Sequence, residues 1–143
     1  MGRILCIDYG RKRCGVAVTD SLQISANGLE TQPAHKLMDF IKDYCRREVV
    51  ELIVIGKPVQ LNGEPSESMR YIAPFMKRLA REMPEMPVVM HDERFTSTIA
   101  HREMIAAGLS RSRRQEKTLA DKTAAVLILT GYLESRAYLS SRQ

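Results

Sequence analysis

The chain has 143 residues, of which 44% are apolar and 27% charged, and its formal net charge is +5. This length and balance favour one globular domain, residues 1–143, and exclude disordered and collagen-like chains. The longest apolar run covers residues 124–129. It is far too short for a membrane span, so no membrane partner is expected. The basic charge is compatible with a polyanionic partner.

The cysteines and the first residues favour a reducing compartment. Cys6, Cys14 and Cys45 are odd in number, and no two of them have C-x-x-C spacing. A disulfide framework and a zinc ribbon are therefore both disfavoured. Only four consecutive apolar residues follow Arg3, too few for the core of a signal peptide. We expect a cytoplasmic protein with reduced thiols.

The first part of the chain is predicted to form three strands and a helix. Residues 3–9 and 14–19 are rich in Ile, Val and Cys, and the polar turn between them predicts an antiparallel hairpin. A third, weaker strand is predicted within residues 24–31. Pro33 can then open a helix. Its apolar residues follow at i, i+3 and i+4 spacing: Leu37, Met38, Ile41, Tyr44 and Cys45.

The second part is predicted to alternate strands and helices. Residues 51–56 are almost continuously apolar, as is typical of a strand buried on both faces. Three helices and one more strand complete the predicted order: a helix from Ser66 to about Glu82, a strand over 87–91, and helices over 96–107 and from 118 to about 137. A hairpin followed by alternating elements indicates an α/β protein with a mixed sheet and helices on both faces.

Three carboxylates occupy positions where the surrounding pattern is apolar. Asp8 ends the first strand, Glu93 closely follows the strand over 87–91, and Asp121 lies in an otherwise apolar helix. At about 100° per residue, Asp121 projects on the same side as Ile128, the side that should pack on the sheet. Two acids at strand ends and a third on a covering helix are expected to meet at one edge of the sheet.

A cluster of buried acids needs a cation, hydrogen bonds or protonation. Hard oxygen ligands suit Mg²⁺ or Mn²⁺, which activate water and neutralise the charge that develops on phosphate during hydrolysis. The alternative is that these acids are turn residues or ion-pair partners, with Asp8 in a turn, Glu93 beside Arg94 and Asp121 beside Lys117. The pattern alone leaves both interpretations open.

Four segments together resemble a known family. Residues 8–20 are DYGRKRCGVAVTD, residues 56–63 contain GKP and NG, residues 92–97 are DERFTS, and residues 121–133 run from DKTAA to YL. In this order they resemble the YqgF/RuvX motifs D-Y-G-x-K-R-x-G-V-A-x-S-D, G-x-P…(D/N)-G, D-E-R-(L/F)-(T/S)-(T/S) and D-x-x-A-A…Y-L. Members of that family are described as pre-16S rRNA nucleases and as Holliday junction resolvases. The departures, Cys14 in place of a branched apolar residue and Lys57 in place of Leu, do not touch the acids.

The resemblance implies an α/β, RNase H-like fold with a mixed five-stranded sheet, three antiparallel strands followed by parallel ones, flanked by helices. Asp8, Glu93 and Asp121 match the family's acid positions, which implies that they are catalytic and that they bind Mg²⁺ or Mn²⁺. The implied activity is metal-dependent hydrolysis of phosphodiester bonds in 5′-end processing of pre-16S rRNA. Branched DNA, resolved as a Holliday junction, is the alternative substrate.

Basic residues flank the predicted acids. Because the hairpin turn lies beside the predicted metal site, its cations favour contact with substrate phosphates over a merely solvated turn. A second basic run precedes Asp121 and could steer a nucleic-acid backbone. The predicted nucleic-acid-binding residues are Arg11, Lys12, Arg13, Arg94, Arg111, Arg113, Arg114 and Lys117. Aromatic residues are only 6% and Trp is absent, so a broad base-stacking platform is not indicated.

The residues close to the predicted acids have simpler interpretations. His91 is expected to be a packed strand residue, with a role beside the metal as the alternative. Asp20 is expected to be a turn residue rather than a ligand. Thr96 and Ser97 are expected to cap a helix.

Two other classes of function are alternatives to a nuclease. An actin-like or sugar-kinase-like ATPase needs two such domains around its nucleotide, and the chain has length for one. A non-catalytic RNA-binding or ribosome-assembly factor fits the basic loops equally well, but carboxylates repel phosphate unless a cation intervenes. The expected oligomeric state is a monomer or a weak homodimer, since only a resolvase would require a two-fold dimer.

Overall fold

The computed structural model describes residues 2–58, 67–93 and 117–141, and in the last range the side chains of residues 124–136. The strands within these ranges are β1 (Arg3–Asp8), β2 (Arg13–Thr19), β3 (Ala26–Gly28), β4 (Gln32–Pro33), β5 (Val50–Lys57) and β6 (Val88–Asp92). The helices within them are α1 (Leu37–Arg47), α2 (Met69–Glu82) and α3 (Lys117–Ser141), with a 3₁₀ turn at Ala34–Lys36. None of these helices is long and apolar enough to cross a membrane.

The sheet has the order β3-β2-β1-β5-β6, and β4 pairs separately with β2. Strand β2 is antiparallel to both β1 and β3, whereas β5 and β6 continue the sheet in parallel with β1. This arrangement confirms the predicted mixed sheet, with its antiparallel strands first and its parallel strands after them. The short β4 is an addition to the predicted five strands.

Alternation along β1 divides the core between the two faces of the sheet. Leu5 and Ile7 belong to a core cluster with buried residues of α1 and α2. Ile4 and Cys6 belong to the opposite cluster, with buried residues of α3. Because successive side chains of a strand point to opposite faces, Asp8 extends the row formed by Ile4 and Cys6. The first predicted acid therefore lies on the face covered by α3.

Helix α3 packs with the face that the sequence predicts. Ala125 and Ile128 are buried, Tyr132 packs against the same cluster, and Glu134 is exposed. The helix begins at Lys117 and runs to Ser141, a few residues beyond the predicted end. Its backbone at Asp121 is therefore helical, while the side chain of Asp121 lies outside the described residues.

The third strand lies within the predicted range of 24–31 and is short. It covers Ala26–Gly28, because the backbone N–H groups of Ile24 and Ser25 donate to Asp20 instead of to a strand. The first helix begins at Leu37 and not at Pro33, because Pro33 pairs with Arg13 in an edge strand.

Helix α2 begins at Met69 with Ser68 at its N-cap, and not at Ser66 as predicted, and residues 67 and 68 form a turn before it. Two other predictions, the helix over 96–107 and the basic segment over 110–116, fall outside the described part of the chain.

Candidate functional site

Three parallel strands bring two of the predicted acids to one edge of the sheet. The register pairs Ile7 with Ile55 and Gly56 with His91, so Asp8 and Glu93 lie on either side of the end of β5. The carboxyl ends of parallel strands form a common crevice in open α/β sheets. The carboxyl groups of Asp8 and Glu93 are hydrogen-bonded to each other across this edge.

Gly56 makes room for the pair. A Cβ atom at position 56 would lie 2.7 Å from Oε1 of Glu93 and 2.8 Å from Cδ1 of Ile128. At these distances a side chain at position 56 would displace the ends of the Glu93 and Ile128 side chains, so glycine leaves open the space in which Glu93 lies between β5 and α3. Sequence reasoning placed Gly56 in a motif but missed this function, because nothing local indicates which side chain lies over it.

The electrostatics of the pair follow from its burial. Burial raises the pKa of Glu93 to about 7, reinforced by the charge of Asp8, the hydrogen bond to Asp8 and the charge of Asp92. Burial also raises the pKa of the Cys6 thiol, and the negative charges of Asp8 and Glu93 add to that effect. Two carboxylates this close cannot both ionise without cost, so in the absence of a cation a proton is held between them near neutral pH.

The donor chemistry of the pair fits a divalent cation. Two adjacent carboxyl groups repel each other when both are charged, and for this reason they retain a proton. Their oxygens are of the kind that Mg²⁺ and Mn²⁺ prefer. Within residues 2–58, 67–93 and 124–136, no three His, Cys, Asp or Glu side chains form a group that could hold a metal ion. The structure thus brings together two of the three predicted ligands, Asp8 and Glu93. Asp121 lies on the helix that covers the same face, with its side chain outside the described residues.

The predicted phosphate-binding turn lies next to Asp8. Arg11 and Lys12 are exposed and Arg13 is half-buried. The turn is tight, since a Cβ atom at Gly10 would lie 2.1 Å from the carbonyl oxygen of Arg13. It is also held from the side, because the Ala34 N–H donates to the Lys12 carbonyl at 2.8 Å. The predicted contacts from Arg94, Arg111, Arg113, Arg114 and the Lys117 side chain fall outside the described residues.

The neighbouring residues match their structural interpretations. His91 is 8% exposed and lies edge-on to Tyr132, with ring centroids 5.9 Å apart, as predicted for a packed strand histidine. Asp20 accepts hydrogen bonds from the backbone N–H groups of Ile24 and Ser25, as predicted for a turn residue. The predicted helix caps, Thr96 and Ser97, lie outside the described residues.

Related sequences cover nearly the whole chain. The family model described as "RuvX: Holliday junction resolvase" matches residues 2–135. A protein of Phocaeicola vulgatus is 53% identical over 139 residues, which are 97% of this chain and 100% of the relative. A protein of Bacteroides fragilis is 54% identical over 136 residues, 95% of this chain and 99% of the relative. Both relatives are named as candidate pre-16S rRNA nucleases.

Solved structures of resolvases share the fold. Thermus thermophilus RuvC, solved with a Holliday junction substrate, has a TM-score of 0.58 and 14% identity, covering 95% of this chain and 97% of RuvC. A Fowlpox virus resolvase in complex with junction DNA has a TM-score of 0.50 and 15% identity, covering 94% and 98%. At such identities the likeness shows the fold, and it confirms the RNase H-like prediction. From the family model and the close relatives, the chain belongs to the RuvX family.

Proposed function

We propose that this protein is a metal-dependent nuclease that hydrolyses phosphodiester bonds in the 5′-end processing of pre-16S rRNA. The observation that carries the proposal is the hydrogen-bonded pair of Asp8 and Glu93, which meets over Gly56 at the carboxyl edge of the parallel strands. The names of the close relatives support the substrate class. Work on ribosomal RNA would place the protein in the cytoplasm.

Asp8, Glu93 and Asp121 are the residues that would hold Mg²⁺ or Mn²⁺ in this proposal. When bound, such an ion supplies an activated water and neutralises the charge that develops on the phosphate. The Glu93 carboxyl group lies over Gly56, beside Ile128. Because the pair retains a proton near pH 7, cation binding releases that proton and is favoured by higher pH.

Basic residues of the turn complete the proposed substrate site. Arg11 and Lys12 extend into solvent within a few residues of Asp8. Their charges hold backbone phosphates near the acids by a contact that is independent of sequence. This arrangement answers the main objection to acids in a nucleic-acid site, because cations on the protein offset their repulsion of phosphate.

The test is cleavage of two end-labelled substrates side by side, a precursor 16S 5′ RNA and a four-way DNA junction. Wild-type protein, Asp8→Asn and Asp20→Asn are purified identically and assayed with Mg²⁺, with Mn²⁺ and with a chelator. Asp20→Asn is the matched control, since it makes the same chemical change in a turn remote from the pair. We expect wild type and Asp20→Asn to cut the RNA with either metal, and Asp8→Asn to bind RNA without cutting.

Equal cleavage by wild type and Asp8→Asn would contradict the assignment of the acids. Junction cleavage in preference to RNA would favour the second candidate, a Holliday junction resolvase, for which the matching family description speaks. A resolvase would also form a two-fold dimer in solution, in order to cut two strands symmetrically. Binding of RNA without cleavage under every divalent ion would identify an assembly factor instead.

A further inference from the structure

An exposed aromatic ring lies beside the proposed catalytic edge. Tyr71, in the first turn of α2, is 41% exposed. The guanidinium carbon of Arg11 lies 5.4 Å from the centroid of its ring. Arg11 belongs to the turn that directly follows β1 and Asp8. This pair of side chains therefore extends the candidate site onto helix α2, which sequence reasoning did not include.

A second arginine–tyrosine pair differs from the first in its exposure and in its ion pairing. Arg47 lies 5.8 Å from the ring centroid of Tyr44, but Tyr44 is only 9% exposed. The charge of Arg47 is compensated, because its Nε donates to Asp43 at 3.1 Å. Arg11, in contrast, makes no ion pair with any residue in the described ranges. Its cation is held on an open ring and left available to an anion.

The surroundings of Arg11 and Tyr71 are rigid and basic. Tyr9 stacks on Phe75 with ring centroids 4.8 Å apart, which fastens the turn to α2. The exposed side of α2 carries further cations: Arg70, Lys77, Arg78 and Arg81. The one acid of this helix, Glu82, is engaged by Lys42 and Arg78, and Arg81 lies 4.0 Å from it. A fixed cation–π pair next to a cationic helix is complementary to a polyanion that also carries flat rings.

We propose that Arg11 and Tyr71 bind one unpaired nucleotide of a single-stranded nucleic acid, with its base added to the Arg11–Tyr71 stack and its phosphate beside Arg11. This inference rests on the proposed nuclease function and specifies the strand that the site takes. Bases of single-stranded RNA stack on aromatic rings and on guanidinium planes. A base inside a continuous duplex is already stacked and paired, so it cannot use this contact. The strand then continues from Asp8 and Glu93 along the cations of α2.

The first experiment measures binding to a short single-stranded RNA and to a duplex of the same sequence, in chelator so that nothing is cut. Tyr71→Leu is expected to weaken single-strand binding by about 5- to 150-fold, the range for loss of one stacked base, and to leave duplex binding unchanged. Tyr71→Phe keeps the ring and is expected to keep the affinity. Arg11→Ala is expected to lower the salt dependence by about one phosphate contact, whereas the matched Arg47→Ala does not.

The second experiment uses the absence of tryptophan from the chain. Tyr71→Trp introduces a single tryptophan, whose fluorescence a stacked base is expected to quench when single-stranded RNA is added. Val49→Trp is the control, because Val49 is 73% exposed and lies just before β5, at the end of that strand opposite to the acids. Equal quenching in both variants, or equal weakening of single strand and duplex by Tyr71→Leu, would overturn the proposal. These measurements need no cleavage. An inactive protein that still stacks RNA at Tyr71 would contradict only the nuclease, and an active one indifferent to Tyr71 would contradict only this inference.

Discussion

Two carboxylates that follow strands lie at opposite ends of the sheet, and their surroundings shift their pKa values in opposite directions. Asp20 follows β2, and its Oδ1 accepts the backbone N–H groups of Ile24 and Ser25 at 2.8 and 2.9 Å. These donors, that of Ser25 most, hold the pKa of Asp20 below its usual value. Glu93 follows β6, is half-buried, and meets another carboxyl group, so its pKa rises to about 7.

The difference separates a structural acid from a candidate catalytic one. The backbone satisfies the charge of Asp20 within its own turn, so that nothing is left for a ligand to supply. Burial and the neighbouring Asp8 both disfavour the charged form of Glu93. A cation would relieve the repulsion between the two carboxylates. A carboxylate at a strand end therefore indicates a metal site only when its surroundings disfavour its negative charge, so that a bound cation would stabilise it.

The largest expected effect is on the chemical step. Glu93→Gln is expected to lower kcat by more than about 100-fold, since residues that merely support a metal ligand already contribute 10–100-fold. RNA binding in chelator should persist, because the basic turn is untouched. Asp20→Asn should leave kcat nearly unchanged. The measurement is single-turnover cleavage at saturating metal. A Glu93→Gln enzyme as fast as wild type would contradict the assignment.

The next effect concerns the space over β5. Gly56→Ala is expected to displace the Glu93 carboxyl group, because the new Cβ would lie 2.7 Å from its Oε1. Activity should fall by about 10- to 100-fold, with a higher metal concentration needed for half-maximal rate. Gly2→Ala is the matched control at the other end of the sheet, where the nearest contacts of a Cβ atom are 3.1 Å. A metal titration of both variants decides the point, and coincident curves would contradict the role of Gly56.

A smaller effect is expected in the stability of the metal-free protein. The native pKa of Glu93 is about 7 and its reference value is 4.5, so ionising it costs stability as pH rises from about 4.5 through 7. The cost is absent in acid and complete above pH 7. Glu93→Gln should therefore raise stability at pH 8 by about 1–2 kcal/mol, after allowance for solvent screening, and have little effect at pH 4. Denaturant unfolding in chelator measures this, and a destabilised variant at pH 8 would contradict it.

The smallest effect has the opposite sign and belongs to the Asp20 turn. Because the native pKa of Asp20 is lowered, its charge stabilises the fold above its unfolded pKa and ceases to do so as pH falls through the native value. Asp20→Ala should lower the melting temperature modestly at pH 7, and the difference from wild type should narrow in acid. Thermal melts of both proteins across this pH range test the prediction. A difference independent of pH would show that the turn depends on shape and not on charge.

The local pattern of the sequence predicted much of the fold and part of the site. Alternation fixed the faces of β1, and helical spacing placed Ile128 of α3 on the sheet. The acids stood out because they interrupt apolar segments, and Asp8 and Glu93 are indeed together. The extent of the third strand was not predictable from the residue pattern. Gln23 has a positive φ of 59° and belongs to a turn in which the Ile24 N–H donates to Asp20, so that Ile24 does not join the strand.

The sequence by itself determined which residues are polar within apolar elements, and from these it predicted that acids meet at one edge of the sheet. Only the tertiary structure decided that Glu93 crosses Gly56 to reach Asp8, and that Arg11 lies over Tyr71. The physical reason is that periodicity fixes the face of an element, whereas contacts between distant elements depend on strand order and register. Those are set by the packing of the whole core, which no single segment encodes.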